Sequence, residues 1–355
     1  MTADPRSLAE SPPLADSDLQ LLEQASVGCR RLETELSKII VGQKSIVRPA
    51  LAAVFAGGHT LIVGVPGLAK TLLVKTLAGA LGWSFKRIQF TPDMMPADIV
   101  GMELLHLDND TGARSMRFSP GPVFAQMILA DEINRAPPKT QSALLEAMQE
   151  YQVTSLGKSH PLDRPFLVFA TQNPIEQEGT YPLPEAQLDR FMFSLWMDYP
   201  TAEEEEEIVL ATTLDASPRV APVFSVEQAL AFQHLVRRIP VSRHVVKYAV
   251  SLARSSRPSC SESAQYKAIR DYVSWGAGPR ASQHMVLAAK ALAAIDGKPA
   301  VTAEHIREAA PLVLRHRIAP NYNAAGEGVS SAELVAGLLK QIREPAYSDG
   351  YNFNG

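Results

Sequence analysis

A glycine-rich stretch ends in a lysine and a threonine and leads into a helical pattern. It follows an apolar run and reads Gly64, Val65, Pro66, Gly67, Leu68, Ala69, Lys70 and Thr71. A glycine-rich turn between a strand and a helix N-terminus presents backbone N–H groups and the positive end of the helix dipole to an anion. In such a turn the lysine reaches the β- and γ-phosphates, and the threonine hydroxyl binds Mg²⁺. The stretch therefore predicts a phosphate-binding loop for a nucleotide such as ATP.

One position departs from the G-x-x-x-x-G-K-[ST] pattern, because Ala69 stands where the second glycine is expected. If Ala69 is already helical, its methyl group costs little, since alanine has the highest helix propensity. A position that requires a positive φ would not accept alanine so cheaply. The loop alone also fits a chance strand–turn–helix corner, so the interpretation depends on further motifs.

Two acids follow a second apolar run. Residues 127–130 are apolar, and Asp131 and Glu132 come directly after them. Hydrolysis of ATP needs a ligand for Mg²⁺ and a group that polarises a neutral water molecule. We expect Asp131 to hold Mg²⁺, directly or through water, and Glu132 to polarise the attacking water. Solvated acids at a strand end are the alternative, which Lys70 upstream in a strand–loop–helix context disfavours.

Three further polar residues stand at the ends of predicted elements. Asn173 follows an apolar run, where an amide could orient the water or sense the γ-phosphate. Arg190 stands just before an apolar strand, where an arginine is more often a surface ion-pair partner. Arg280 begins a helix, where the helix dipole disfavours a cation. That misfit hints that Arg280 pairs with another group, such as a phosphate.

Short apolar runs alternate with helical patterns up to about residue 200. The runs cover residues 61–63, 85–89, 127–131, 166–171 and 191–197. Strands that alternate with helices predict an α/β fold with a mainly parallel sheet and helices on both faces. Two helices are predicted before the first strand, at 18–39 and 44–55. Turn residues between alternating segments predict two hairpin inserts, at 103–118 with a turn at 109–112, and at 151–162.

The pattern divides the chain into four parts. Residues 1–18 are expected to be disordered, 19–199 to form the nucleotide-binding α/β core, 200–343 a small all-helical domain, and 344–355 a flexible tail. The second domain opens with an acidic run, for which we expect a helix start with Thr201 as N-cap and Glu204 in a capping box. Its other helical patterns lie at 226–236, 242–253, 280–295 and 302–315.

Composition narrows the function classes. The chain has 355 residues, 46% of them hydrophobic, and a net charge of −4. It therefore has no global basic field that would draw it to nucleic acid or to an anionic membrane. Cys29 and Cys260 are too few for a disulfide framework. We expect a protein of the cytoplasm, without a signal peptide or a transmembrane segment, since glycines break the longest apolar region at 49–65.

The ordered series of motifs resembles the MoxR family of AAA+ ATPases over roughly residues 20 to 345. The matching motifs lie at residues 41–43, 64–71, 118–122, 131–136, 144–148, 170–174, 185–191 and 278–280. The phosphate loop of this family is similar in having alanine before the lysine, so Ala69 is compatible with nucleotide binding. The resemblance implies Walker A roles for Lys70 and Thr71 and Walker B roles for Asp131 and Glu132.

The resemblance extends to three outlying residues and to the inserts. It implies that Asn173 is sensor 1, that Arg190 is an arginine finger supplied to the neighbouring subunit, and that Arg280 is sensor 2, which reports the nucleotide state to the helical lid. The first hairpin resembles the helix-2 insert of this clade, and the second resembles the pre-sensor-1 hairpin. For Arg135, directly after the acid motif, we expect a structural ion pair.

The resemblance also implies a function. Members of this family form hexameric rings, hydrolyse ATP with Mg²⁺ and remodel client proteins in a chaperone-like way. They commonly act with a protein that contains a von Willebrand factor A domain, and often assist maturation of, or metal insertion into, an enzyme complex. A magnesium-chelatase-like motor subunit and a DNA-translocating ring remain as alternatives, and the acidic net charge argues against the ring on DNA. Intact site residues argue against a non-hydrolysing scaffold, and a metabolite kinase fits least.

Overall fold

The computed structural model describes residues 13–344 except 108–113, 156, 177–178 and 214–218. Most of the predicted 1–18 segment and of the 344–355 tail lies outside the described residues. The elements of the first part, in chain order, are α1 (Asp16–Ser37), α2 (Lys44–Ala56), β1 (Thr60–Gly64), α3 (Lys70–Leu81), β2 (Phe85–Gln89), α4 (Pro96–Val100), β3 (Gly101–Leu107), β4 (Arg114–Pro120), β5 (Met127–Asp131), α5 (Pro138–Glu150), β6 (Gln152–Ser155), β7 (Lys158–Pro161), β8 (Leu167–Gln172), α6 (Glu185–Leu188) and β9 (Phe193–Met197).

Five strands form the central sheet, in the order β2-β5-β8-β1-β9. Every neighbouring pair is parallel, which confirms the predicted sheet. β1 and β5 are buried along their whole length, as strands covered on both faces must be. The register pairs Gln89 of β2 with Asp131 of β5, and Val63 of β1 with Gln172 of β8. The carboxyl ends of these strands therefore meet at one edge of the sheet, where ligands of such folds bind.

Both predicted hairpins are present as antiparallel ribbons outside the central sheet. β3 and β4 pair from Gly101 with Pro120 to Leu107 with Arg114. The predicted turn at 109–112 lies outside the described residues. β6 and β7 pair over four residues each, from Gln152 with Pro161 to Ser155 with Lys158.

The second part is mostly helical. Its elements are α7 (Ala202–Thr213), α8 (Val226–Arg238), α9 (Arg243–Ser255), α10 (Lys267–Tyr272), β10 (Val273–Trp275), α11 (Pro279–Ile295), α12 (Ala303–Leu314), β11 (Ala319–Pro320), α13 (Tyr322–Glu327) and α14 (Ser331–Gln341). The predicted capping box is confirmed, since Thr201 N–H donates to Glu204 at 3.0 Å and Glu204 N–H donates to the Thr201 hydroxyl at 3.2 Å. The all-helical prediction is wrong in one detail, because β10 and β11 form a two-stranded antiparallel sheet.

The helices of both ends of the chain share one hydrophobic core. It joins α1, α2 and α3, one face of the sheet, and the lid helices α8, α9, α11 and α12. Phe55 of α2 packs edge-to-face on two phenylalanines. Phe224 lies just before α8, and Phe232 lies within it. A second core lies on the other face of the sheet, against α5. Among the described residues, none of the helices combines the length and the apolar character needed to cross a bilayer.

Candidate nucleotide-binding site

The loop at residues 64–71, which the sequence predicts to bind phosphate, connects the buried strand β1 to helix α3 and curls around its own lysine. Lys70 Nζ donates hydrogen bonds to the carbonyl oxygens of Gly64 at 2.5 Å and Val65 at 2.8 Å. Burial lowers the pKa of the Lys70 ammonium, and the nearby carboxylates of Asp131 and Glu132 act in the opposite direction. The lysine is thus held at the loop, close to the two acids.

Ala69 stands where the motif has a glycine, and its backbone conformation was left open by the sequence. The expectation that it is already helical is wrong. It has φ 58° and ψ 24°, in the left-handed region, and serves as the N-cap of α3. A side chain in this conformation costs roughly 1–2 kcal/mol, because Cβ crowds the following carbonyl oxygen. Backbone strain of this kind persists where the surrounding structure enforces it, and it concentrates at functional sites.

A threonine joins the two acids. The Thr171 hydroxyl, at the end of β8, donates to Asp131 Oδ1 at 2.6 Å and accepts from the Glu132 backbone N–H at 2.8 Å. The Thr71 hydroxyl at the start of α3 lies 3.4 Å from Asp131 Oδ2. Asp131 is only 7% exposed. The structure therefore brings Thr71 and both acids together, as predicted, around a threonine that the sequence analysis missed.

Strand β2 supplies two more partners of the acids that the sequence analysis missed. Arg87 donates to Asp131 Oδ2 through Nε at 2.9 Å and through Nη2 at 2.7 Å. Gln89 Nε2 donates to Glu132 Oε2 at 2.8 Å. Their spacing of two puts both side chains on one face of the strand. That alternation was the available signal, but only the pairing of β2 with β5 gives it a target.

Asn173 lies one residue beyond β8 and is buried. Its Oδ1 accepts a hydrogen bond from the backbone N–H of Ile175 at 3.1 Å. Together with Asn134, Gln172 and Trp196 it lines a cavity of about 590 Å³ at the carboxyl edge of the sheet. The amide thus lies just beyond the end of β8, and β8 is the neighbour of β5, the strand that leads into the acids.

Arg280 contacts the residue that precedes Arg190 in the chain. Arg280 Nη1 donates to Asp189 Oδ2 at 3.1 Å, and Asp189 directly precedes Arg190 in the chain. The Arg190 side chain is partly exposed and makes no hydrogen bond or ion pair with the described residues. Among the same residues, neither arginine forms an ion pair or a hydrogen bond with Asp131 or Glu132.

Arg135 forms the ion pairs that were predicted for it. Its Nη1 lies 3.4 Å from a carboxylate oxygen of Glu132 and 3.8 Å from one of Glu176.

Among the residues that the structure describes, no group of three or more histidine, cysteine or acidic side chains could hold a metal ion by itself.

Comparison with known proteins identifies the family of this chain. Residues 59–193 match the model of the ATPase family associated with various cellular activities (AAA), and residues 265–337 match the AAA lid domain. The chain is 41% identical to chaperone MoxR1 of Mycobacterium tuberculosis over 88% of its length and 81% of that protein. It is 30% identical to the protein MoxR of Methylorubrum extorquens, over 88% of this chain and 93% of the relative.

A solved structure from Cytophaga hutchinsonii superposes with a TM-score of 0.84 at 39% identity, covering 93% of this chain and 98% of that one. An AAA core with its helical lid thus accounts for the α/β sheet, the phosphate loop and the C-terminal helices. The chain belongs to the MoxR family of AAA+ ATPases.

Proposed function

We propose that this chain binds ATP with Mg²⁺ at the loop 64–71 and hydrolyses it. One observation carries the proposal: Thr171 ties Asp131 and Glu132 together at the sheet edge, with Thr71 of the loop facing the same carboxylate. A phosphate chain on the loop would meet the Lys70 ammonium and the N-terminus of α3. The γ-phosphate would then lie beside the two acids.

The donor set suits Mg²⁺. The Thr71 hydroxyl and the Asp131 carboxylate offer two hard oxygen ligands, and Mg²⁺ usually takes one or two such protein ligands together with phosphates and water. Bound there, the ion would neutralise charge that develops on the phosphoryl oxygens. Glu132 accepts from Gln89 and pairs with Arg135, so its carboxylate is held in one orientation to polarise the attacking water. Asn173 would orient that water from the neighbouring strand.

We further propose that Arg190 acts on the ATP of a neighbouring subunit in a ring, and that Arg280 senses the bound nucleotide. Arg190 is partly exposed without a partner among the described residues, and Arg280 lies beside it on Asp189. A free guanidinium at a surface suits a group that completes another subunit's site. An arginine supplied in this way is worth ~10³–10⁵ in rate. Hydrolysis would then depend on assembly, for which a hexamer is the expected state.

The energy of hydrolysis would serve a chaperone-like remodelling of a client protein. The relative from Mycobacterium tuberculosis is itself named a chaperone. The β3–β4 ribbon leaves Met102, Leu104, Leu105 and Met116 exposed, which offers an apolar surface to a client or to a neighbouring subunit. A partner with a von Willebrand factor A domain, and maturation of or metal insertion into a client enzyme, are the further parts of this proposal.

The test compares nucleotide binding with turnover. Lys70→Ala should lose binding of a fluorescent ATP analogue, whereas Glu132→Gln should bind it and retain unhydrolysed ATP. Arg190→Ala should keep binding and lose the turnover that assembly stimulates. Glu150→Gln on the exposed side of α5, and Arg270→Ala on α10, serve as matched controls and should behave as wild type. Rapid phosphate release by Glu132→Gln would contradict the proposal, as would normal turnover in Arg190→Ala.

The client test uses the same trap. Glu132→Gln loaded with ATP should retain client and partner proteins that Lys70→Ala does not retain. If both variants retain the same proteins, the association does not depend on ATP, and the remodelling proposal fails.

A further inference from the structure

Arg317, just after α12, is a buried cation. Its side chain is only 2% exposed. The guanidinium forms an ion pair with Asp189 Oδ1 at 2.7 Å and donates to the backbone carbonyls of Asp189 at 2.9 Å and Phe191 at 2.6 Å. It thus contacts the residue before Arg190 and the residue after it.

The remaining N–H groups of Arg317 are also used. Nη1 donates to the carbonyls of Met192 at 3.3 Å and Val313 at 2.6 Å, and Nη2 lies 2.8 Å from Nδ1 of His284. Burial lowers the pKa of His284 to about 3, so the imidazole is neutral and accepts this bond. Burial also lowers the pKa of Arg317 to about 10, which still leaves it charged at neutral pH.

A buried cation costs several kcal/mol unless it is paired and fully hydrogen-bonded, and apolar replacements are often as stable. Here the compensation comes largely from one short segment, since the carbonyls of Asp189, Phe191 and Met192 converge on one guanidinium. This segment joins α6 to β9 and has no regular strand or helix to hold it. The contact therefore fixes the backbone on both sides of Arg190.

We propose that Arg317 is a positioning residue that holds Arg190 ready for the neighbouring subunit's nucleotide. The proposal rests on the proposed role of Arg190 in trans. The carboxylate of Asp189 is shared, with Oδ1 toward Arg317 and Oδ2 toward Arg280. Asp189 therefore stays fixed by Arg317 when Arg280 turns toward a phosphate.

Two variants test this role. Arg317→Gln should lower kcat at least about tenfold, a part of the ~10³–10⁵ that the finger itself supplies. Its affinity for a fluorescent ATP analogue should stay within about threefold of wild type, because its own loop and acids are intact. Asp189→Asn keeps the shape of the side chain and the three carbonyls, so it should fold even where Arg317→Gln does not, and should lower kcat by a smaller factor. Arg317→Lys should recover only part of the loss, since an ammonium cannot reach all of these acceptors.

Mixed rings separate positioning from folding. Lys70→Ala subunits lack a working loop but carry an intact Arg317 and Arg190. After subunit exchange at equal amounts with Arg317→Gln, an Arg317→Gln site next to a Lys70→Ala neighbour regains an ordered finger. About a quarter of all sites in a head-to-tail ring then become active, so activity rises well above that of either variant alone. Arg307→Gln, on α12 and away from Asp189, is the matched control and should be active without mixing.

The outcomes are distinct. If Arg190→Ala recovers activity with Lys70→Ala but Arg317→Gln and Asp189→Asn do not, the positioning role is overturned while the trans finger stands. Full kcat in Arg317→Gln alone also overturns it. If Arg190→Ala itself fails to recover activity, the finger role in the proposed function fails first.

Discussion

The Arg87 guanidinium lies 2.7 Å from Oδ2 of Asp131, the same carboxylate oxygen that faces the Thr71 hydroxyl. A positive side chain therefore stands where the proposed Mg²⁺ would bind. The Arg87 side chain is 49% exposed, whereas the Asp131 side chain is only 10% exposed, so solvent screens the pair on the arginine side alone. We expect Mg²⁺ to displace the exposed guanidinium, which balances the charge of the acid when the ion is absent.

We expect Arg87→Gln to lower the Mg²⁺ concentration that half-saturates ATP binding, because the competing cation is gone. A change of about threefold to tenfold corresponds to ~0.7–1.4 kcal/mol. The measurement is a Mg²⁺ titration of fluorescent-nucleotide binding. Lys86→Gln removes a neighbouring charge on the same strand and should leave the titration unchanged. An Arg87→Gln curve that coincides with wild type would show that Arg87 does not compete.

Removing the Thr171 hydroxyl should damage both acids at once. Thr171→Val is nearly isosteric, but it leaves the Glu132 N–H without its acceptor and Oδ1 of Asp131 without its donor. An unsatisfied buried group costs ~1–3 kcal/mol, so the free energy of unfolding should fall by that order and kcat should fall with it. Thr171→Ser keeps the hydroxyl and should recover most of both losses in denaturation and ATPase assays. Equal losses in the two variants would place the effect in packing instead.

The left-handed conformation of Ala69 predicts an unusual response to glycine. Ala69→Gly should raise the free energy of unfolding by up to about 1 kcal/mol, because strain relief exceeds the greater entropy of unfolded glycine. Nucleotide affinity should be unchanged. Ala78→Gly, inside α3, is the matched control and should lower stability by about 1 kcal/mol. The measurement is the denaturant midpoint of each variant. A loss of stability in both Ala69→Gly and Ala78→Gly would contradict the backbone strain at Ala69.

His59 predicts a pH dependence of stability. Its Nδ1 accepts from the Val168 N–H at 3.0 Å and its Nε2 lies 3.1 Å from the Met148 carbonyl, so both nitrogens serve the neutral ring. Burial lowers the pKa of His59 to about 4 from 6.5. The unfolded chain therefore binds more protons between these values, and stability is lost as the pH falls through this window, by up to ~1.4 kcal/mol per pH unit.

His59→Gln should flatten this profile by about one proton's slope, on top of a loss of stability at neutral pH. Buried His284 and His316 remain in both proteins, so only the difference between the profiles is attributed to His59. His234→Gln removes an exposed imidazole and should keep the wild-type profile. Parallel profiles for wild type and His59→Gln would refute the prediction.

Contiguous residues could be interpreted from the sequence, and contacts across the sheet could not. The loop that ends in Lys70 and the acid pair after β5 each stand in one short segment, so residue types and order were enough. Arg87 meets Asp131 only because β2 pairs in parallel with β5, in a register that the sequence does not reveal. Arg317 was missed because its partners Asp189, Phe191 and Met192 lie more than a hundred residues earlier in the chain.

Conformation was harder to predict than location. The motif identified the position of Ala69 but not its φ, because alanine favours a helix in isolation and the loop enforces another conformation. The β10–β11 pair was also missed, since strands of three and two residues carry no period to detect. Longer elements, such as α8 and α11, were predicted to within a few residues because their apolar positions repeat over several turns.

The core that α1 and α2 share with α8 and α11 bears on how the protein could be dissected. A chain cut between residues 199 and 200 would keep the whole phosphate loop and both acids, but the apolar side of α2 would face water. Phe55, which packs on Phe224 and Phe232, would lose its cover. A fragment of this kind is expected to aggregate rather than to bind nucleotide. The α/β half of this chain therefore depends on the C-terminal helices for its own stability.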